Sequence, residues 1–158
     1  MAGPAAAATI TVTGAGPAAP GDAVCTLAEA LANADADGAP SADCAPGAGA
    51  DRVVFALGGT FSTVGAPGPR TGDALEIDGS GREVTLRGDD AHRVLIVPEG
   101  ATLTLRALTV GPGTAVDCPG VTPYLGCGGG VFNAGTLTLA DVTVRGGDAG
   151  PAGVGGGV

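Results

Sequence analysis

The sequence has no lysine, no tryptophan, a single histidine (His92), one tyrosine and three phenylalanines in 158 residues. So few rings exclude an aromatic core; the interior must be built from Val, Leu, Ile and Ala, small side chains that suit a narrow space. All seven basic residues are arginines, and sixteen acidic residues set the formal net charge at −9. A chain of this charge repels polyanions, which excludes nucleic acid as a partner. No apolar run approaches the length that crosses a bilayer, so this segment is not expected to span a membrane. Without lysine, the glycine-rich stretch 126–130 lacks the Lys-Ser/Thr ending of a phosphate-binding loop. No Ser/His/Asp or Cys/His set has supporting spacing, so no catalytic residue is assigned.

Glycine and proline are plentiful, about a quarter of the chain, a level that can accompany low complexity. Here the glycines punctuate alternating apolar runs, and 44% of residues are hydrophobic. Residues 102–110 read Thr-Leu-Thr-Leu-Arg-Ala-Leu-Thr-Val, and residues 136–144 read Thr-Leu-Thr-Leu-Ala-Asp-Val-Thr-Val, 34 residues later. Gly128-Gly129-Gly130-Val131 is echoed by Gly155-Gly156-Gly157-Val158. Self-similarity at such a period marks a repeat architecture in which neighbouring units bury one another's apolar faces. Strands are expected at 8–12, 51–57, 60–64, 74–78, 83–87, 93–97, 102–106 and 108–110, separated by Gly/Asp/Pro turns. Alternation points Val53, Phe55, Leu75, Ile77, Val84, Leu86, Leu103, Leu105, Leu137 and Leu139 inward.

One helix is expected, over residues 26–36. Leu27, Ala30, Leu31 and Ala34 recur on one helical face. Thr26 and Glu29 form a capping box that satisfies two free amide donors, and Gly38 and Pro40 end the helix. The four cysteines fall into two local pairs, Cys25 with Cys44 and Cys118 with Cys127. Neither pair has the short spacing of a zinc site, so two disulfides and an oxidising compartment are expected, with four buried free thiols as the alternative. Cys118–Cys127 would staple a loop inserted between the two Thr-Leu-Thr-Leu copies.

Cys25-Thr26-Leu27-Ala28-Glu29-Ala30-Leu31 resembles the Cys-Ser-Leu-Arg-Glu-Ala (CSLREA-type) motif that opens many secreted bacterial right-handed parallel β-helix proteins. The likeness continues through Ala32-Asn33-Ala34, Cys44 and Gly49-Ala50-Asp51-Arg52-Val53-Val54-Phe55. Gly128–Asn133 followed by Ala134-Gly135-Thr136-Leu137 resembles the repeats of that family and, more loosely, those of polymorphic outer-membrane autotransporter passengers. Ala28 departs from the family's usual arginine, so any contact made by that arginine is missing. The resemblance implies an all-β right-handed parallel β-helix, a solenoid with a short N-terminal capping α-helix. The right-handed preference of parallel crossovers agrees. It also implies a secreted or surface-displayed bacterial protein.

Three regions follow. Ala6-Ala7-Ala8 fits the end of a signal peptide, so residues 1–8 are read as its remnant. Residues 9–52 form a cap holding the helix and the Cys25–Cys44 disulfide. Residues 53–158 form β-helix coils, cut inside a coil at Val158, so that continuation of the solenoid itself is one expected partner. Asn133 is expected to hydrogen-bond backbone at a stacked turn.

Asn33, Asp35, Asp37 and Gly38 have the spacing that opens a calcium loop, but Cys44 stands where the closing glutamate belongs. They are a weak calcium candidate; no other cofactor is indicated. Asp73, Asp78, Asp89, Asp90, His92 and Arg93 are the densest polar set. The expected function is a non-enzymatic, adhesin-like scaffold whose partner is extracellular matrix, a cell surface or a polysaccharide. The alternative is the N-terminal part of a carbohydrate-active β-helix enzyme, a polysaccharide lyase or hydrolase whose active site lies beyond residue 158.

Overall fold

A computed structural model describes residues 6–115 and 129–148. Among these residues the chain is mostly strands with one helix, and every strand pairing is parallel. In chain order the elements are β1 (Thr9–Val12), α1 (Leu27–Ala36), β2 (Asp51–Phe55), β3 (Gly59–Ser62), β4 (Ala74–Asp78) and β5 (Val84–Arg87). They continue with β6 (Leu95–Val97), β7 (Thr102–Arg106), β8 (Thr109–Val110), β9 (Gly113–Thr114) and β10 (Val131–Asn133). β11 (Thr136–Ala140), β12 (Thr143–Val144) and β13 (Gly147–Asp148) complete the set.

Four sheets result. A five-stranded sheet has the order β1-β2-β4-β7-β11, and a four-stranded sheet the order β12-β8-β5-β3. β10 pairs with β6, and β13 with β9. From β4 onward the chain visits the five-stranded sheet, then the four-stranded sheet, then one two-stranded sheet (β6) or both (β9 and β10), and returns to the first. The register is set by the apolar alternation. Leu75 lies opposite Leu103, and Leu103 opposite Leu137, with Ile77, Leu105 and Leu139 aligned two residues on. Phe61, Leu86, Val110 and Val144 align in the second sheet. A slip of one residue would turn each of these rows outward, so the pattern specifies the pairing strongly.

The rows meet in one core running from Ile10 to Val131. Of the residues expected inward, eight are buried: Val53, Phe55, Leu75, Ile77, Val84, Leu86, Leu103 and Leu105. Leu137 is half-buried and Leu139 is 41% exposed. Both sit on β11, which among the described residues has a strand neighbour on one side only, so no further described rung covers their row. At the opposite end α1 packs against β1, β2 and β3. The Phe55 and Phe61 rings lie 4.7 Å apart there, tilted to one another.

Strands come out shorter than their apolar runs: β6 covers three residues of the expected 93–97, and β3 ends at Ser62. Two short pairings, Gly147 on Gly113 and Asp148 on Thr114, carry no alternation and were not legible. The corner between β7 and β8 is made by Ala107, and that between β11 and β12 by Asp141. Both have left-handed backbones, φ 50° and 56°. The repeated sequence thus reproduces its corner conformation as well as its strands. β2 crosses the expected boundary between residues 52 and 53 and joins β1 to β4 in one sheet. Among the described residues no helix is long and apolar enough to cross a membrane.

Candidate functional site

The helical region is held by a buried polar network. Thr26 caps α1: its Oγ1 accepts from the Glu29 amide, and Glu29 Oε2 accepts from the Thr26 amide at 3.0 Å and from its hydroxyl at 2.7 Å. Glu29 Oε1 also accepts from the Ser41 hydroxyl at 3.1 Å. Cys25, just before the cap, is bonded to Cys44, with Cα atoms 4.8 Å apart. The disulfide at Cys44 and the Glu29–Ser41 hydrogen bond therefore tie the far part of the loop that follows the helix back to the start of α1. Cys118 and Cys127 lie outside the described residues, as do Tyr124 and the 155–158 echo.

The side chains of the weak calcium candidates Asn33, Asp35 and Asp37 all meet protein partners. Asn33 is fully buried; its Nδ2 donates to the carbonyls of Ser41, Cys44 and Ala45, and its Oδ1 accepts from the Ser41 amide at 2.8 Å. Asp35 accepts two hydrogen bonds from the Arg70 guanidinium, at 2.9 and 3.1 Å. Asp37 caps the helix in a left-handed conformation and accepts from the Gly49 amide. Asn33 is thus the hub that folds the 38–46 loop onto α1. Among the described residues no group of three His, Cys, Asp or Glu side chains is arranged to hold a metal.

Asp51 was not singled out, although alternation with Val53 and Phe55 puts it on the inward face. It occupies the row of Leu75 and Leu103 and is buried. Its Oδ1 accepts from the Ala8 amide at 3.1 Å and the Ala48 amide at 2.8 Å, pinning the entry to β1. Its Oδ2 has no partner among the described residues. Gly47 is close by: a Cβ there would stand 2.7 Å from Oδ2 and strike the Asn33 carbonyl, so only glycine fits.

The polar set from Asp73 to Arg93 is dispersed. Asp73 lines a small crevice with Asp35 and Asp51. Asp78 is buried on β4, where it pairs with Arg52 of β2, and Arg52 also reaches Glu76 at 3.0 Å. Burial alone would raise the Asp78 carboxyl, but hydrogen bonds from Ser80 and Arg52 outweigh it and hold the group below its ordinary range. Asp90 is exposed in the turn. Asn133 acts locally: its Oδ1 accepts from the Gly135 amide at 3.2 Å.

Asp89 and His92 do come together. Asp89 Oδ1 accepts from the Ala91 amide at 2.8 Å and lies 2.7 Å from His92 Nδ1. The amide bond and the imidazole together hold the Asp89 carboxyl below its ordinary range. Arg93 is buried, its guanidinium 5.3 Å from the Phe132 ring centroid. His92 and Arg93 line a half-open cleft of about 320 Å³ between residues 63–68 and 91–96. Thr63, whose hydroxyl donates to the Arg87 carbonyl at 3.2 Å, and Thr114 also line it, and Val64 and Ile96 add exposed aliphatic surface. One end is narrow: a Cβ on Gly68 would stand 2.6 Å from the Ile96 carbonyl oxygen. Sequence proximity was enough to find His92 and Arg93; the partnership with 63–68 depends on the fold. Compared with protein-family models, curated proteins and solved structures, the chain matches none.

Proposed function

We propose that this chain is part of a right-handed parallel β-helix, a solenoid capped at its N-terminal end by α1, and that it works as a non-enzymatic secreted or surface-displayed scaffold. The observation that carries the reading is the in-register parallel row Leu75–Leu103–Leu137, joined by segments that visit the sheets in the same rotation. Rows of this kind support a stack of similar units, each making its neighbour's core. The Cys25–Cys44 disulfide supports an oxidising, extracellular setting. The motif around Cys25 and Glu29, by its likeness to secreted bacterial β-helix proteins, supports the same assignment.

In such a protein the sheets are a frame, and outward loops make the contacts with matrix, cell surface or polysaccharide. The test uses the oxidised 158-residue chain coupled to beads. Retention on a matrix-, cell- or polysaccharide-coated surface, with no release of soluble oligosaccharide, is the expected result. Cleavage of a pectin-like or other polysaccharide would overturn it in favour of a carbohydrate-active enzyme. Absence of retention on every surface would overturn the adhesive role.

A further inference from the structure

Among the described residues, Asp51 Oδ2 is the one buried side-chain polar atom without a hydrogen-bond partner. Asp51 is 3% exposed, and a carboxylate oxygen buried without a donor is costly. Its other oxygen is well served: Oδ1 accepts from the Ala48 amide at 2.8 Å and from the Ala8 amide at 3.1 Å. The Ala8 amide also points at the Ala48 carbonyl, 3.2 Å away. One N–H at Ala8 is therefore shared between two acceptors, beside a third that has no donor. An α-ammonium at the same nitrogen carries three hydrogens, one for each acceptor. The Gly47 side of Oδ2 is closed to any side chain, because a Cβ there would stand 2.7 Å away. Asp51 also lines a crevice with Asp35 and Asp73, of which Asp35 meets the Arg70 guanidinium, so this corner is acidic and favours a further cation.

Ala8 is also where the chain enters the fold. Ala6 and Ala7 are exposed, Ala8 is half-buried, and β1 begins at Thr9. The Ala8 carbonyl is committed as well, accepting from the Arg52 amide at 2.8 Å. The alanine run puts small residues at 5 and 7 as well as at 6 and 8, so a small-residue cleavage rule permits a cut after Ala7 as readily as after Ala8. The structure separates the two: a cut after Ala8 removes the donor that Asp51 holds, whereas a cut after Ala7 gives that donor a charge. We infer that the chain is cut between Ala7 and Ala8, and that Asp51 and the Ala48 carbonyl form the seat of the new N-terminus. Water adds across the Ala7–Ala8 peptide bond, on a peptidase that accepts small residues before the cut. Ala7 leaves with the carboxylate, and Ala8 keeps the nitrogen as an α-ammonium. Two of its hydrogens stay on Asp51 Oδ1 and the Ala48 carbonyl, and a turn about the Asp51 Cβ–Cγ bond brings Oδ2 to the third. A buried ion pair is favourable when its hydrogen bonds are complete, which is the condition met here.

The cut rests on the secreted setting of the scaffold reading, not on its adhesive role, and two measurements keep the failures apart. The first is mass spectrometry of the N-terminal peptide of the protein recovered from its native host. A peptide beginning at Ala8, from the medium or the cell surface, is expected. A secreted chain that begins at Thr9 or runs through Ala7 overturns the cut and leaves the secreted reading standing; protein confined to the cytoplasm overturns both. The second measures the seat by itself. Oxidised chains starting at Met1, Ala8 and Thr9, each released from a removable fusion, are compared by urea unfolding. The Ala8 chain should have a folding equilibrium constant about tenfold above the other two, the size of one charge-assisted hydrogen bond. The sequence has no lysine, so amine acetylation of the Ala8 chain is confined to its N-terminus. Acetylation should erase the advantage over the Met1 chain, and so should Asp51→Asn made in both chains. Acetylation alters no side chain and decides the matter where the variant folds poorly. Equal stability of the Met1 and Ala8 chains, or an advantage that survives acetylation, overturns the seat.

Discussion

Asn33 shows how one buried polar side chain can organise a segment. Its amide group serves three carbonyls and one amide across the 38–46 loop. Asn33→Ala strands those groups away from water and should cost about 2–4 kcal/mol, measured by urea unfolding. Asp78 has a different signature. Its folded-state carboxyl lies below the ordinary range, so it stabilises the fold above the unfolded value of about 3.9 and loses that effect as pH falls through the lower folded value. Stability should therefore decline below about pH 4, and Asp78→Asn should be less stable at neutral pH, with the gap closing in acid. Urea unfolding across a pH series checks both; a gap that widens in acid contradicts the pairing. Ala107 holds a left-handed backbone at φ 50°, which a Cβ makes unfavourable. Ala107→Gly is expected to raise the melting temperature, by up to about 1 kcal/mol of stability, because relief of strain exceeds glycine's entropic cost.

At the scale of elements, what was legible followed from local rules. The helix begins after Thr26 because the Thr26–Glu29 box satisfies its first amides, and the same residues were readable as a box in advance. Strand centres were legible because period-two alternation reports burial directly. Strand ends were not: β6 keeps three residues, and its one strand neighbour among the described residues is the three-residue β10. Spacing reports neither burial nor partners, so the engagement of Asn33 by backbone groups and of Asp35 by Arg70 was not legible in the run from Asn33 to Gly38. Two measurements probe the elements. Reducing Cys25–Cys44 opens a 19-residue separation, and restoring that chain entropy to the unfolded state should cost about 3 kcal/mol in thermal unfolding with and without reductant. Leu105→Ala should cost about 2–5 kcal/mol, since Leu105 is fully buried between two rungs. Leu139→Ala, at the same register on the edge strand, should cost clearly less.

Across the whole molecule, protection should follow position in the stack. β4 and β7 have strand neighbours on both sides, whereas β11 and β12 end their sheets. Amide hydrogen exchange should be slowest in β4 and β7 and fastest in β11 and β12, because an edge strand opens without breaking a second ladder. Uniform protection across these strands would contradict a sheet built rung on rung. The sequence by itself determined the strands' inward faces, the pairing of the two Thr-Leu-Thr-Leu copies and the capped helix, because each depends on periodicity or on contacts three or four residues apart. Tertiary structure alone decided that Asp35 meets Arg70, that Asp51 takes a leucine's place in a core row, and that Val64 faces the His92 cleft. From β2 onward, successive rungs in the first sheet are offset by 24, 28 and 34 residues, so loop paths of unequal length set which side chains converge. No local pattern encodes that convergence.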